Sequence, residues 1–269
     1  MPKVAFITGA SRGIGLACAC RLARAGWDVV IAAKTVDPHP KLPGTIFTAA
    51  QALREYGREV LPLRCDVRNV DEVETAAKAT LDKFGRVDAI INNAGALWWK
   101  RMDEVPMKRY DLVNEVNSRG AYSVTFAFLE HLKRQRFGHI INMSPPLNTQ
   151  MVPGRIAYSI SKLGMTLQAI GIAHEFRDFN IKASALWPAT TIETSASINF
   201  NLGERSQWRR PEIVADAAYE ILQNPQRSNG KALIDEPFLR ELGYTDFDRY
   251  ACVPGSVPQP IAWTSKAGQ

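Results

Sequence analysis

Two hydrophobic rhythms alternate along this chain. Short uninterrupted apolar runs predict strands at Val4 to Thr8, Asp28 to Ala33, Val60 to Cys65, Val87 to Asn92, Gly138 to Met143, Ile181 to Trp187 and Lys231 to Ile234. Between them apolar positions recur every three or four residues, which predicts helices over 13–25, 45–56, 69–84, 107–134, 155–178 and 211–223. The punctuation agrees: Gly26, Gly57 and Gly85 follow helix ends, Asn69 suits an N-cap and Pro211 a first turn. Strands that are apolar throughout belong to a parallel sheet covered by helices on both faces, so the pattern predicts an α/β fold of about seven strands. Residues 34–44 (KTVDPHPKLPG) read as a proline-bearing loop, and the Pro- and Gly-rich tail from Glu236 onward reads as an irregular extension.

Composition narrows the function by exclusion. A chain of 269 residues, 46% of them hydrophobic, buries a core large enough for one sizeable domain. The formal net charge is +6, but Lys and Arg are scattered among acids and no basic run is interleaved with aromatics, so no nucleic-acid partner is expected. Cys18, Cys20, Cys65 and Cys252 lack metal-ligand spacing; no metal is expected, and the thiols suit a reducing compartment. No apolar run approaches the ~18 residues of a membrane span. The first strand begins near Lys3, leaving no room for a signal peptide, and a cytoplasmic location is expected.

Chemistry enters at the first strand-to-helix turn. Thr8-Gly-Ala-Ser-Arg-Gly-Ile-Gly15 puts glycines at 9, 13 and 15. Glycine lets the backbone come close to a ligand, and the helix behind it aims free N–H groups and a positive dipole end at the same point. After strand one of an alternating α/β chain, such a turn points to the pyrophosphate of a dinucleotide. Further along, Tyr158 and Lys162 stand four residues apart on a helical segment and share one face. A phenol titrates near ~10 and needs a neighbouring cation to exchange protons at neutral pH. The same spacing also occurs in surface helices, where both side chains are simply solvated.

With Asp66-Val67 after the third strand, Asn92-Asn-Ala-Gly95 after the fourth, and Asn117, these motifs resemble the short-chain dehydrogenase/reductase family over roughly the first 235 residues. Segments 32–50 (AAKTVDPHPKLPGTIFTAA), 144–148 (SPPLN) and 185–194 (ALWPATTIET) resemble the hydroxysteroid dehydrogenase-like protein 2 subgroup. Members of that subgroup can carry a sterol-carrier domain, which this chain is expected to lack. The resemblance implies a single-domain Rossmann fold with a doubly wound parallel sheet. Residues 1–235 would be the dinucleotide-binding and catalytic domain, and 236–269 an extension packed on or near it.

A dinucleotide fold that selects NAD usually ends its second strand with a carboxylate for the ribose 2′-hydroxyl. Here that place is Ala33, followed by Lys34, with Arg12 in the glycine turn. Two cations and no carboxylate suit a 2′-phosphate, although Asp37 lies close in sequence. NADP(H) is the expected cofactor and NAD(H) the alternative. The resemblance implies that Gly9, Ser11, Arg12, Gly13, Ile14 and Gly15 hold the phosphates and that Asp66 and Val67 border the adenine. It also implies that Asn93, Ala94 and Gly95 line the groove, with Pro188, Ile192 and Thr194 further along it. In that last segment Ala189 replaces the family's usual Gly, and one residue is added before Ile192.

For catalysis the resemblance implies Tyr158 as general acid in reduction and base in oxidation. Lys162 would lower its pKa and hold the ribose hydroxyls, and Asn117 would hold a water that links Lys162 to solvent. The family's Ser, which bonds the substrate oxygen, is where the chain departs: its place is taken by Pro145, which has no side-chain donor. Ser144 takes the role if the loop shifts register, with Asn148 and Thr149 as weaker substitutes. Alternatively, Ser144 only satisfies backbone groups ahead of Pro145-Pro146.

Trp98, Trp99, Met151, Val152, Trp187 and Phe200 fall in segments that flank the family's substrate cleft, and residues 195–210 are expected to form a mobile lid. Those side chains suit either an apolar pocket for a lipid-like carbonyl or alcohol, or ordinary core packing. Two functions follow. One is an NADP(H)-dependent oxidoreductase acting on a small-molecule carbonyl or secondary alcohol. The other is a nucleotide-binding protein with little or no turnover, a redox sensor or interaction partner. The resemblance also implies a homodimer or homotetramer built through the helices at 107–134 and 155–178.

Overall fold

The computed structural model describes residues 1–40, 42–148 and 152–261. Strand β1 (Val4–Thr8) leads into helix α1 (Gly13–Arg24), β2 (Asp28–Ala33) into α2 (Ile46–Arg54), and β3 (Val60–Arg64) into α3 (Val70–Phe84). Next come β4 (Ala89–Asn92), α4 (Met107–Asn114), a π-helical turn at Glu115–Arg119, and α5 (Gly120–Gln135). They are followed by β5 (Gly138–Met143), α6 (Ile156–Glu175) and β6 (Ile181–Trp187). The short strands β7 (Thr191–Ile192) and β8 (Trp208–Arg209) enclose α7 (Ser195–Asn199). Then come α8 (Glu212–Gln223), α9 (Pro225–Ser228), β9 (Ala232–Ile234) and α10 (Asp235–Glu241).

Local chemistry accounts for several boundaries. The Thr45 hydroxyl accepts the Thr48 N–H in a reciprocal capping box that opens α2. Asn69 accepts the amides of Asp71 and Glu72 to open α3, and Gly85, at φ 68°, ends it.

Seven strands pair in parallel in the order β3-β2-β1-β4-β5-β6-β9. Successive residues along a strand feed opposite cores. Ala5, Ile7, Val29, Ile31 and Ile141 pack with residues of α1, α2 and α8. Val4, Phe6, Val30, Ala32 and Ile140 pack with α3, α5 and α6. Each large apolar side chain buried this way contributes about 1.5–3 kcal/mol, which is why both faces of these strands are apolar in sequence. Strand order reverses between β1 and β4, so a crevice opens at their carboxyl ends, the usual ligand position in a doubly wound sheet.

Three expected elements come out differently. The helix expected over 107–134 is interrupted, because the wider π turn at Glu115–Arg119 displaces the register between α4 and α5 and leaves Asn117 fully buried. The expected lid at 195–210 contains α7 and β8, and β8 pairs with β7. The tail expected to be irregular from Glu236 begins as a helix, supported by a Glu236–Arg240 ion pair one turn apart (2.6 Å). Beyond α10 the tail packs on the same body: Phe247 and Tyr250 join the core of α1 and α8, and Arg210 N–H donates to the Tyr250 carbonyl (2.7 Å). Among the described residues no helix is long and apolar enough to cross a membrane.

Asp235 connects this tail to the sheet. Its Oδ1 accepts the N–H groups of Ala189 (2.8 Å) and Glu236 (2.7 Å), while Oδ2 is buried with no hydrogen-bond partner among the described residues. Burial pushes the carboxyl from its ordinary 3.8 up to about 7. The folded chain therefore binds the proton more tightly than the unfolded chain. The stability contributed by this group is full below the unfolded value and is lost as pH rises through about 7. Asp235→Asn keeps an acceptor oxygen and removes the titration. Its melting temperature relative to the parent should rise between pH 5 and pH 8 by ~2–6 °C, for a change of about 1–2 kcal/mol. Parallel melting curves at the two pH values would refute this account.

Candidate active site

The phosphate end of the crevice is built by the glycine turn. Gly9 adopts a left-handed conformation (φ 65°), and a Cβ there would lie 2.9 Å from the Ala94 Cα. A Cβ on Gly15 would meet Asn93 Nδ2 at 2.5 Å, because Asn93 reaches under the turn to donate to the carbonyls of Thr8 (3.0 Å) and Gly9 (3.2 Å). Thr8 Oγ1 in turn accepts the N–H groups of Asn93 and Ala94 at 3.0 Å each, which locks the ends of β1 and β4 together. The start of α1 has no side-chain cap and no acid in its first turn. Its free amides and positive end are thus open to an anion.

A cavity of about 610 Å³ lies along this edge of the sheet. Its wall brings together Gly9, Ser11, Arg12, Gly13 and Ile14 of the turn with Ala33 and Lys34 after β2. Asp66, Val67, Asn93, Ala94 and Gly95 continue it, and Pro188, Ile192 and Thr194 join from the segment after β6. Tyr158 and Lys162 lie on the same wall. Gly15 does not line it and serves the packing of the turn against Asn93. Lys34 is exposed on the wall, whereas Asp37 is exposed away from it. The Arg12 guanidinium borders the cavity while donating to the carbonyls of Pro43 (2.9 Å) and Gly44 (2.7 Å), so it also fastens the loop after β2. Arg68 donates to Asp66 (2.6 Å) and holds that carboxyl below its ordinary range.

The catalytic candidates converge through Asn117. Its Oδ1 accepts the Ala96 N–H (2.8 Å), and its Nδ2 donates to the Ala96 carbonyl (3.0 Å) and to Ser161 Oγ (2.9 Å). Ser161 Oγ donates onward to the Tyr158 carbonyl (2.7 Å). A Cβ placed on Gly95 would be 3.5 Å from Asn117 Oδ1 and 3.6 Å from Lys162 Nζ, so carboxamide and ammonium flank one point. Lys162 Nζ donates to the Met143 carbonyl (2.9 Å), and burial pulls its pKa down to about 8. Burial pushes the Tyr158 phenol up, and the Arg155 guanidinium, one helical turn earlier, opposes that rise. Arg155 lies over the Trp99 ring (4.8 Å), which meets the Tyr158 ring edge-on (5.9 Å).

Ser144 does not face the cavity. It is fully buried; its Oγ donates back to the Asn142 carbonyl (3.4 Å) and its N–H to the Leu186 carbonyl (3.0 Å). Thr166 Oγ1 donates to the Pro145 carbonyl (2.5 Å), which ties the loop to α6 in this register. Thr149 and Met151 lie outside the described residues. Trp99, Trp187 and Phe200 line the cavity, whereas Trp98 is off its wall, under the Arg109 guanidinium (4.4 Å). Val152 packs beside Tyr158 and Trp187.

Sequence reasoning missed Leu97, Thr190 and Ile261 on the wall. Thr190 Oγ1 is buried without a hydrogen-bond partner among the described residues, which leaves a donor available to a ligand. The residue added before Ile192 was the one signal pointing to that segment. Ile261 carried none.

An anion-ready helix start and a buried Tyr–Lys pair lie on one cavity wall at the switch point of a parallel sheet, where doubly wound folds bind their ligands. The chain belongs to the short chain dehydrogenase family, whose model matches residues 3–204. It is 45% identical over 258 residues to hydroxysteroid dehydrogenase-like protein 2 of Homo sapiens, covering 95% of this chain and 62% of that protein. The chain thus spans about six-tenths of the length of such curated relatives. A putative dehydrogenase from Xanthomonas campestris is 42% identical, with a TM-score of 0.91 over 97% of each chain. A metagenomic short-chain oxidoreductase in complex with NADP is 26% identical, with a TM-score of 0.72 over 86% of this chain and 95% of that one.

Asn117→Ala would leave buried partners at Ala96 and Ser161 unsatisfied, at a cost of about 2–4 kcal/mol. The urea midpoint should fall accordingly, and an unchanged midpoint would show that the carboxamide is not a structural tie.

Proposed function

We propose that this chain is an NADP(H)-dependent oxidoreductase that transfers hydride between nicotinamide and the carbonyl or secondary-alcohol carbon of an apolar, lipid-like substrate. The observation that carries the reading is the shared wall: the glycine turn, Tyr158 and Lys162 border one cavity. The residues present fit a nicotinamide dinucleotide. The uncapped start of α1 suits its pyrophosphate, and Lys34 and Arg12 suit a 2′-phosphate. The NADP complex of the metagenomic relative supports the same preference.

When bound, the cofactor supplies or accepts the hydride. Tyr158 gives its phenolic proton to the carbonyl oxygen in reduction and takes it back in oxidation. Lys162, one turn along the same helix, holds the ribose hydroxyls, and Asn117 holds a water between Lys162 and solvent. Leu97, Trp99, Trp187, Phe200 and Leu202 add an apolar stretch to the wall, which supports an apolar substrate. A cytoplasmic setting belongs to this reading and is supported by four cysteines that are all free thiols.

A panel of carbonyls with NADPH and with NADH tests the reading. Tyr158→Phe should lower turnover by about 10²–10⁴-fold while leaving the NADPH dissociation constant within ~3-fold. Lys34→Glu should move the NADPH-to-NADH preference about tenfold toward NADH. Undiminished turnover in Tyr158→Phe would sink the mechanism. Because the Ser144 hydroxyl is turned away, the second reading is a nucleotide-binding protein without turnover; NADPH binding with no carbonyl reduced would favour it.

A homodimer or homotetramer is also part of the proposal. Tyr122 and Phe126 on α5 stack at 6.3 Å yet are 59% and 63% exposed, and Ile160 and Leu167 are exposed on α6. Phe126→Glu should reduce the mass measured by sedimentation to that of a smaller species. An unchanged oligomer would move the interface elsewhere.

A further inference from the structure

Between Cys252 and Ile261 the chain carries prolines at 254, 258 and 260. Proline fixes φ and lowers the entropy lost on ordering, so such a segment is held by few contacts. The contacts are specific. Cys252 N–H donates to the Trp208 carbonyl (3.1 Å), Gln259 N–H to Gln207 Oε1 (3.0 Å), and Ile261 N–H to the Ala189 carbonyl (2.8 Å). Ala189 is gripped from its other side by Asp235, whose Oδ1 accepts its N–H (2.8 Å). The strap therefore reaches the active site beside a residue whose preceding peptide unit is held by Asp235.

Its two ends meet different surroundings. Pro258 and Pro260 border a second cavity of about 420 Å³, whose other side carries the charged residues Arg209, Glu236 and Arg240. Ile261 crosses to the active-site cavity and packs in one cluster with Tyr158 and Trp187, beside Leu97 and Trp99. The side chain that closes the apolar space around the catalytic phenol thus comes from the tail, more than 100 positions from Tyr158 in sequence.

We propose that Ile261, at the end of the strap, forms part of the wall of the substrate compartment and sets the size of the group carried beside the reacting carbon. The inference rests on the oxidoreductase reading and deepens it. The substrate class is a ketone or secondary alcohol with one apolar substituent that packs on Ile261 and Trp99. A shape change of one or two methylenes in an apolar pocket alters kcat/KM by roughly 10–200-fold, so single substitutions at this position have measurable consequences.

The test uses the full chain with Ile261→Ala and Ile261→Trp, NADPH, and methyl ketones whose second substituent grows from methyl through cyclohexyl to naphthyl. The ratio of kcat/KM for the naphthyl ketone to that for acetone should rise about three- to tenfold in Ile261→Ala. It should fall at least about tenfold in Ile261→Trp. The NADPH dissociation constant should stay within ~2-fold, because the strap borders the substrate end. The same ketones are titrated calorimetrically onto the three proteins saturated with NADP⁺. If nothing turns over but the variants shift affinity with substituent size in these opposite directions, Ile261 stands as part of the wall and the oxidoreductase reading fails. Size preferences equal in all three proteins, or no ketone bound by the parent, would overturn the proposal.

Discussion

The carboxamide of Asn117 joins three segments that reach the active site from different directions: the exit of β4 at Ala96, the π turn between α4 and α5, and helix α6 at Ser161. Through Ser161 the connection continues to the backbone of Tyr158. In a regular α-helix each residue turns the side chain by about 100°, so the wider π turn redirects Asn117 relative to the helix before it. The site is buried, and a partner left unsatisfied there would cost about 1–3 kcal/mol, so the carboxamide holds the three segments in one arrangement.

Burial acts on both members of the Tyr158–Lys162 pair in the direction of neutrality. The ammonium, pulled to about 8, is still mainly charged at pH 7, but its proton has become exchangeable. The phenol moves the other way and gains its relief from Arg155, which is stacked over Trp99. A phenol pushed up by burial is a weaker acid, so the proposed proton transfer depends on cations that oppose that rise. Pro145 stands where the family has a Ser, and the wall carries Thr190 as a hydroxyl with no hydrogen-bond partner among the described residues.

The C-terminal residues contribute more than cover. Asp235 accepts the Ala189 N–H and Ile261 donates to the Ala189 carbonyl, so the two peptide units that flank Ala189 after β6 are fixed, one by α10 and one by the strap. Ala189 itself borders the second cavity, while Pro188 and Thr190 on either side of it border the first. A carboxyl shifted to about 7 is tolerated there because two backbone N–H groups share one of its oxygens.

The strands, the glycine turn and most of the cavity wall were legible because their causes are local. An apolar run buried on both faces, a Gly that must leave room for Asn93, and two side chains one helical turn apart each leave a mark within a few residues. Most of the residues expected along the groove do line it, whereas Gly15 serves packing instead. What sequence reasoning did not see depends on contacts between distant segments. The π turn yields only to the bonds that Asn117 makes across to Ala96 and Ser161. The direction of the Ser144 hydroxyl follows from the fit of β5 beside β6, and helix α10 is stabilised in a stretch whose Pro and Gly content argues against it. The wall at Ile261 exists only because a peptide unit at Ala189 receives it. The sequence by itself therefore determined the sheet, the nucleotide turn and the Tyr–Lys pair, all set by short-range periodicity and steric necessity. Only the tertiary structure decided that the Ser144 hydroxyl turns inward and that Ile261 reaches the cavity wall, since those depend on hydrogen bonds between residues scores of positions apart.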